Sequence, residues 1–362
     1  MRKIALATMT VAATAALLLS GCSQRADTGG GTEEGGGFAA DSLIGVALPD
    51  ATSENWKIAI DQFDTALTEA GFESTVVGAA ATNTVADQQA QIESMITSGA
   101  KVIVIGAKDA KQLGTQLQAA ADEGITIIAY DRLLEGSENV GYYVAFDNFK
   151  VGELQGQALL DGLAEKFPDK TAYNVELFSG DPGDPNAGVF FDGAMSILQP
   201  KIDDGTLTVV SGQTSVEQTA TTDWAAENAQ TRMDTLLIDY AGLELDGVLA
   251  PNDNLARAVL QSVADDGRGG IVVTGQDSET ASIPLIMSGE QYMTIYKDTR
   301  KLIAQTVSMI EALAAGETPE TTAEENNESI DVPTYYLDPV VVTAKNAKEA
   351  YADNEELLAL TN

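Results

Sequence analysis

Polar side chains recur where apolar runs of this 362-residue chain end. Acids, amides and bases close the runs in YDR (130–132), SGDPGDPN (179–186), APNDN (250–254) and TGQD (274–277), and Lys297 closes YMTIYK (292–297). Carboxylate acceptors, amides and cationic donors together suit a sugar, because its hydroxyl groups both donate and accept hydrogen bonds. Trp56 and Trp224, the only tryptophans, could cover the apolar C–H faces of a pyranose.

Each of these residues also has an explanation that involves no ligand. The alternatives are a solvated ion pair (Asp131, Arg132), helix N-caps (Asp253, Asp277), turn stabilisation (Asp184, Asn186), a solvated charge (Lys297) and core packing (Trp56, Trp224). For any single residue, the residue type does not decide between this alternative and ligand binding. A shared binding site is favoured because such polar residues recur at the ends of several apolar runs.

The composition excludes several kinds of chemistry. The chain has no histidine and one cysteine, Cys22, so histidine-based catalysis and the usual zinc sites are excluded. The acids and amide of DPGDPN (181–186) lack the spacing of a calcium loop, and we expect no metal and no cofactor. A net charge of −35 argues against a nucleic-acid partner, which needs clustered Lys and Arg.

Short apolar runs alternate with longer amphipathic segments in two series, which predicts two lobes of the α/β class, each with a doubly wound parallel sheet. The predicted strands are 43–48, 74–79, 101–106 and 125–130 in the first series, and 173–180, 207–212, 246–251 and 270–275 in the second. Ligands of such sheets lie outside the carboxyl ends of the strands. The polar residues described above therefore predict a cleft between the lobes.

The start of the chain is typical of an export signal. Arg2 and Lys3 precede an apolar stretch, and LSGC (19–22) resembles the lipobox of bacterial lipoproteins, in which the cysteine carries the lipid. An ordinary secretory signal is the alternative. A Gly-rich tether (23–41) follows the predicted signal peptide (1–22). We expect an exported protein, anchored by a lipid on Cys22 to the outer face of the cytoplasmic membrane.

Four stretches carry a resemblance to a known family: AYDRL (129–133), FDNFKVGELQ (146–155), DPGDPNAGVFFDGAM (181–195) and SGEQYMTIYKDTRKLIA (288–304). They resemble the xylose-binding and multiple-monosaccharide-binding proteins of bacterial ABC transporters, which have the type I periplasmic-binding-protein fold. The resemblance implies two lobes joined by three hinge crossovers. The expected N-terminal lobe comprises 42–146 plus 276–318, and the expected C-terminal lobe comprises 147–275 plus 330–362.

The resemblance also implies roles for individual residues. The expected ligand-binding set has ten members: stacking rings (Trp56, Trp224), the amide beside the first ring (Asn55), a hydroxyl-binding pair (Asp131, Arg132), a sugar-binding asparagine and its neighbour (Asn186, Asp184) and the polar ends of the remaining strands (Asp253, Gln276, Lys297). The chain departs from the family pattern at Asn55, where relatives usually carry Arg, at Asp223, where some relatives carry Arg, and at Pro185. If Asn55 and Asp223 both lie at the cleft, they make it more negative than in relatives that keep both arginines, and we therefore expect neutral sugars to bind better than uronic acids.

These observations predict a monomeric binding protein rather than an enzyme. It would capture a neutral aldose of the xylose, glucose or galactose type by lobe closure and deliver it to an ABC permease. The alternatives are a sugar-sensing accessory protein of a membrane receptor, a glycosidase and a transcription repressor. The cation next to Asp131 makes this carboxylate a poor general acid, and the export signal argues against a repressor.

Overall fold

The computed structural model describes residues 37–49, 53–78 and 84–362. The predicted signal peptide, Cys22 and the tether up to residue 36 lie outside the described residues. Among the helices that are described, none has the length and the apolar character needed to cross a bilayer.

The described chain alternates strands and helices over most of its length. The strands are β1 (Leu43–Ala47), β2 (Glu73–Val77), β3 (Val102–Ile105), β4 (Thr126–Tyr130), β5 (Tyr142–Phe146), β6 (Tyr173–Leu177), β7 (Leu207–Val209), β8 (Gly247–Leu249), β9 (Val272–Val273), β10 (Met293–Tyr296), β11 (Ala323–Asn326), β12 (Asp331–Leu337) and β13 (Val340–Thr343). The α-helices are α1 (Glu54–Glu69), α2 (Val85–Thr97), α3 (Gly114–Asp122), α4 (Asn148–Lys166), α5 (Pro185–Asp203), α6 (Val216–Thr219), α7 (Ala226–Asp239), α8 (Asp253–Asp265), α9 (Ile283–Ser288), α10 (Thr299–Ala314), α11 (Ala347–Ala350) and α12 (Glu355–Ala359).

The larger sheet has the strand order β11-β12-β5-β4-β3-β1-β2 and is parallel except for β11. Its central strands are apolar on both faces, as expected for a parallel sheet covered by helices on both sides. On β3, Val102 and Val104 face the core formed with α1 and α10, whereas Ile103 and Ile105 face the core formed with α2 and α3. We call this sheet and its helices the N-terminal lobe.

The smaller sheet has the parallel order β7-β6-β8-β9. Helices α4 and α5 cover one face of it, and α7 and α8 cover the other. The antiparallel pair β10–β13 extends this region, because the N–H of Tyr292 donates to the Val273 carbonyl at 3.0 Å and that of Ile295 donates to the Gly275 carbonyl at 3.1 Å. We call this assembly the C-terminal lobe.

The chain crosses between the lobes at three points: between β5 and α4, between β10 and α10, and between β12 and β13. The strand pairing differs from the predicted lobe boundaries in two places. Residues 276–296 were expected in the N-terminal lobe, but β10 pairs with β13 beside the smaller sheet. The start of 330–362 was expected in the C-terminal lobe, but β12 adds in parallel to β5 of the larger sheet.

Helices α4 and α5 pack with their backbones in close contact. A Cβ atom on Gly152 would lie 2.1 Å from the Phe190 carbonyl oxygen, and one on Gly193 would lie 2.2 Å from that of Phe149. Glycine at these positions therefore permits the approach. The close packing brings Asn148, at the start of α4, within hydrogen-bond distance of a residue at the start of α5, at the edge of the cleft.

Candidate functional site

A cavity lies between the lobes, at the carboxyl ends of the parallel strands, as expected for open α/β sheets. Nine of the ten residues predicted to bind the ligand line it: Asn55, Trp56, Asp131, Arg132, Asp184, Asn186, Trp224, Gln276 and Lys297. The structure thus brings together residues that are up to 242 positions apart in the sequence, from Asn55 to Lys297.

Asp253 is the predicted residue that does not line the cavity. Its side chain is fully buried and accepts hydrogen bonds from Gln291 Nε2 at 2.7 Å, Thr294 Oγ1 at 3.0 Å and the Glu279 N–H at 2.9 Å. Burial raises the pKa of Asp253 well above its usual range, and the nearby Glu279 adds to this. The preceding residue, Asn252, lines the cavity and caps α8 by accepting from the Leu255 N–H.

Asp131 and Arg132 follow β4, but they do not pair with each other. Arg132 Nη2 lies 2.8 Å from Asp184 Oδ2 in the other lobe, and both side chains are almost entirely buried. Arg132 Nη1 donates to the Ala107 carbonyl at 2.9 Å, and the guanidinium lies 5.3 Å from the centre of the Trp56 ring. Arg132 therefore links the two lobes, and the Asp131 carboxylate does not neutralise it.

Asp184 is held at the N-cap of α5. Its Oδ1 accepts from the Asn186 N–H at 3.0 Å, and its Oδ2 accepts from Trp224 Nε1 at 3.1 Å. Pro185 occupies the first turn of α5, where the missing N–H has no helical partner to lose. This departure from the family pattern therefore leaves the helix start intact.

Asn186 also connects the lobes. Its Nδ2 donates to the Asp131 carbonyl at 2.9 Å and, more weakly, to Asp131 Oδ1 at 3.4 Å. Its Oδ1 accepts from Asn148 Nδ2 at 2.9 Å. Asn148 in turn lies 3.3 Å from the Tyr143 hydroxyl, which donates to the Asp131 carbonyl. The backbone of Asp131 is therefore fixed from two sides.

Lys297 brings the second positive charge. Its Nζ lies 3.2 Å from Asp277 Oδ1 and 5.3 Å from the centre of the Phe190 ring. Burial alone would lower the pKa of Lys297, but Asp277, followed by Asp131 and Asp184, outweighs this effect, and the pKa lies above its ordinary value. Lys297 is therefore a charged donor at neutral pH.

Both tryptophan rings lie against a glycine that follows a strand. A Cβ atom on Gly106, after β3, would lie 3.0 Å from the Trp56 ring, and one on Gly180, after β6, would lie 2.1 Å from the Trp224 ring. The two rings thus occupy comparable positions in the two lobes, and any larger residue at Gly180 would displace Trp224. Both rings line the cavity.

Asn55 and Asp223, the two positions at which the chain differs in charge from the family pattern, lie in different places. Asn55 lines the cavity, and its side chain is engaged at both ends: Nδ2 donates to Asp277 Oδ1 at 3.0 Å, and Oδ1 accepts from Thr299 Oγ1 at 3.2 Å. Asp223 is exposed and lines a neighbouring pocket instead of this cavity. The expectation that both residues add negative charge at the ligand site is therefore corrected for Asp223.

Three buried polar atoms of cavity residues have no hydrogen-bond partner within the described part of the chain: Tyr130 Oη, Arg132 Nε and Gln276 Oε1. An unpaired buried polar group is costly, so such atoms indicate a place for ligand or solvent. The described residues contain no group of three acidic or cysteine side chains arranged to hold a metal ion.

Several cavity residues were not predicted as ligand-binding. Tyr130, Asn252, Asp277 and Phe190 all line the cavity. Asn252 and Asp277 lie in the same polar stretches after strands as the predicted residues Asp253 and Gln276, so the pattern that identified those neighbours could also have identified them. Phe190 and Tyr130 lie within hydrophobic segments of the sequence, and their spacing there does not distinguish them from core residues.

Comparison with known proteins agrees with this geometry. Residues 44–318 match the family model described as periplasmic binding protein domain. The chain is 43% identical over 325 residues to the multiple sugar-binding periplasmic receptor ChvE of Rhizobium radiobacter, covering 87% of this chain and 91% of the relative. It is 33% identical over 312 residues to the D-xylose-binding periplasmic protein of Escherichia coli (strain K12), covering 86% and 89%.

A solved structure shows the same fold with a sugar bound. The ABC transporter solute-binding protein of Clostridium phytofermentans, with bound β-D-glucose, is 38% identical, has a TM-score of 0.82 and matches 88% of this chain and 100% of its own. These relatives are sugar-binding and transporter proteins rather than enzymes, as the sequence predicted. The chain belongs to the periplasmic binding proteins with the type I fold, among the sugar-binding receptors of that family.

Proposed function

We propose that the protein captures one neutral aldose between its lobes and delivers it to an ABC permease. The observation that carries the proposal is the cavity lined by both tryptophan rings and by polar side chains, in which three buried polar atoms have no hydrogen-bond partner among the described residues. Carboxylates, amides and two cations supply the acceptors and donors that sugar hydroxyls require. The relatives, which include a multiple sugar-binding receptor, a D-xylose-binding protein and a solute-binding protein with bound β-D-glucose, support the same ligand class.

Capture would proceed by lobe closure. The Arg132–Asp184 ion pair and the Asn186–Asp131 hydrogen bond each join one lobe to the other beside the cavity. A sugar that binds residues of both lobes has a higher affinity for the closed arrangement and therefore shifts the population towards it. Closure of this kind would present the occupied protein to the permease in a different shape from the empty one.

The charges of the cavity favour a neutral ligand. Three carboxylates, of Asp131, Asp184 and Asp277, face two cations, and each cation already has a carboxylate partner. Among the described lining residues, a ligand carboxylate would therefore meet one net negative charge and no cation that lacks a carboxylate partner. The repulsion amounts to about 1 kcal/mol per nearby charge even when solvent screens it well.

Calorimetric titration of the purified protein tests the proposal. Matched pairs at low salt, glucose against glucuronate and galactose against galacturonate, isolate the effect of the ligand charge. We expect at least one neutral aldose to bind with a Kd on the order of 1 μM, about −8 kcal/mol, and its uronate to bind at least about fivefold more weakly. Equal binding within a pair would contradict the charge argument, and failure of every neutral aldose to bind would contradict the proposed function.

The position at the membrane is a separate proposal. Periplasmic binding proteins are exported, and LSGC (19–22) supports lipid attachment at Cys22. The Gly-rich stretch between Cys22 and the described body would then act as a tether. Because the relatives include an ABC transporter solute-binding protein, a permease in the same membrane is the partner that this arrangement suits.

A further inference from the structure

The lobes are also joined on the hinge side of the cavity, at the start of α1. The Glu54 carboxylate accepts from the Thr280 N–H at 2.6 Å and from Thr280 Oγ1 at 2.5 Å. The next residue, Asn55, donates from Nδ2 to Asp277 Oδ1 at 3.0 Å. Two consecutive residues of one lobe thus make three hydrogen bonds to a four-residue stretch of the other.

The two sides of this contact belong to different lobes. Helix α1 packs against α10 and the larger sheet. Residues 277–280 are held to the C-terminal lobe, because the Asp277 N–H donates to the Ile295 carbonyl at 2.8 Å and the Ser278 N–H donates to Thr294 Oγ1 at 3.1 Å. The Glu54–Thr280 contact therefore depends on how the lobes are placed.

The stretch that carries Thr280 is rigidly held. Asp277 and Ser278 both have positive φ, at 93° and 50°, a conformation that persists only where the surroundings fix it. The buried Asp253 accepts from both the Glu279 N–H and Thr294 Oγ1. Asp253, which does not line the cavity, thus positions the backbone that presents the Thr280 N–H to Glu54.

Glu54 and Thr280 do not line the sugar cavity, whereas Asn55 and Asp277 do. A hydrogen bond that exists only in the closed arrangement lowers the free energy of closing by the same amount for every ligand. Residues that contact the ligand change the affinity for each sugar differently. The Glu54–Thr280 contact is therefore separated from the contacts that choose between sugars.

We propose that Glu54 and Thr280 form a closure clasp, a pair of positioning residues that sets the affinity for all ligands by one common factor. The proposal rests on the proposed function, because it concerns sugar affinity. Its physical basis is the two hydrogen bonds to a carboxylate, which are stronger than bonds between neutral groups. The clasp strengthens binding and leaves the order of preference among sugars unchanged.

The test compares four proteins by calorimetry against glucose, galactose, xylose and arabinose: wild type, Glu54→Ala, Thr280→Val and the double variant. We expect Glu54→Ala to raise Kd about 10-fold for every sugar that wild type binds. Thr280→Val, which keeps the backbone N–H, should raise it about 3-fold. The double variant should be no weaker than Glu54→Ala, since both changes remove the same contact.

Glu69→Ala is the matched control, because Glu69 is an exposed glutamate at the other end of the same helix. We expect its Kd values to equal those of wild type. A change below twofold in Glu54→Ala would overturn the clasp. So would a change whose size differs more than threefold between sugars, because it would make Glu54 a specificity residue.

A second measurement observes the contact directly. With a bound sugar, hydrogen exchange of the Thr280 amide should be faster in Glu54→Ala than in wild type, because the carboxylate that accepts from it has gone. Equal rates in the two sugar-saturated proteins would overturn the clasp and leave the proposed function intact. If wild type binds none of the monosaccharides, the proposed function fails, and the clasp fails with it.

Discussion

Substitution of Asp131 separates what its carboxylate does for binding from what its backbone does for folding. Within the described ranges, the carboxylate accepts one long hydrogen bond, from Asn186 at 3.4 Å, while it lines the cavity. Most of its acceptor capacity therefore faces the ligand. The residue has a φ of 62°, in the left-handed region that Asn and Asp tolerate better than Ala.

These facts predict different results for two variants. Asp131→Asn keeps an acceptor oxygen and the backbone preference but loses the charge, which should weaken sugar binding by about 1–2 kcal/mol, or roughly 10-fold. Asp131→Ala loses the acceptor as well, and we expect a loss of about 2–4 kcal/mol in binding. The alanine variant should also lose about 1 kcal/mol in the free energy of unfolding, because Ala is strained at positive φ.

The assay combines calorimetry with urea unfolding of the sugar-free protein. The expected pattern is a graded loss of affinity, from Asn to Ala, with a loss of stability in Ala alone. If both variants bind sugar within about twofold of wild type, which is under roughly 0.4 kcal/mol, the carboxylate does not contact the ligand. If both variants lose the same free energy of unfolding, the argument that Ala is strained at the positive φ of residue 131 is wrong.

Three further predictions follow from the site and the chain start. Because the pKa of Lys297 is raised in the folded protein, its charge contributes to the free energy of unfolding fully below about pH 10, and this contribution is lost as the pH rises through the folded-state pKa. Lys297→Met should remove this alkaline loss of stability in urea unfolding from pH 8 to 11, and an unchanged pH profile would contradict the pairing with Asp277. Because both tryptophans line the cavity, sugar binding should change the intrinsic fluorescence. Trp224→Phe should reduce that change and weaken binding by about 1 kcal/mol, because the hydrogen bond from Nε1 to Asp184 is lost. A fluorescence titration of this variant identical to that of wild type would place the sugar away from Trp224. Cys22→Ser should bind sugar like wild type but leave the membrane fraction, and detection of the same lipid on the variant would refute attachment at Cys22.

Local pattern predicted the elements of the sheets better than their partners. Strands such as β3 and β4 are runs of β-branched residues between helical segments, and such runs are recognisable without tertiary information. The lobe to which β10 and β12 belong depends on which strand each one pairs with, β13 and β5 respectively. No local periodicity encodes that choice, and the boundaries predicted for 276–318 and 330–362 differ from the pairing for this reason.

The same distinction holds within the site. Parallel strands deliver their carboxyl ends to one edge, so residues that follow strands could be grouped from the sequence alone. The choice between Asn252 and Asp253 could not be made in this way, because neighbours at a helix start point in different directions: one lines the cavity and the other is buried beneath it. The partner of Arg132 was also out of reach, because Asp184 lies in the other lobe.

Of the three departures from the family pattern that the resemblance implies, Asn55 is the one that bears on the charge of the site, and neither Asn55 nor Pro185 disturbs its construction. Pro185 falls in the first turn of α5, where a helix tolerates it, and Asn55 makes hydrogen bonds to Asp277 and Thr299. Asn55 brings no positive charge, so Lys297 remains the cation beside Asp277. A neutral sugar loses little by this, because it needs hydrogen-bond partners rather than a counter-charge. A charged sugar loses an ionic partner. The proposed selectivity for neutral ligands therefore involves Asn55 and not Asp223, while the proposed effect of the neighbouring Glu54 on closure is the same for all ligands.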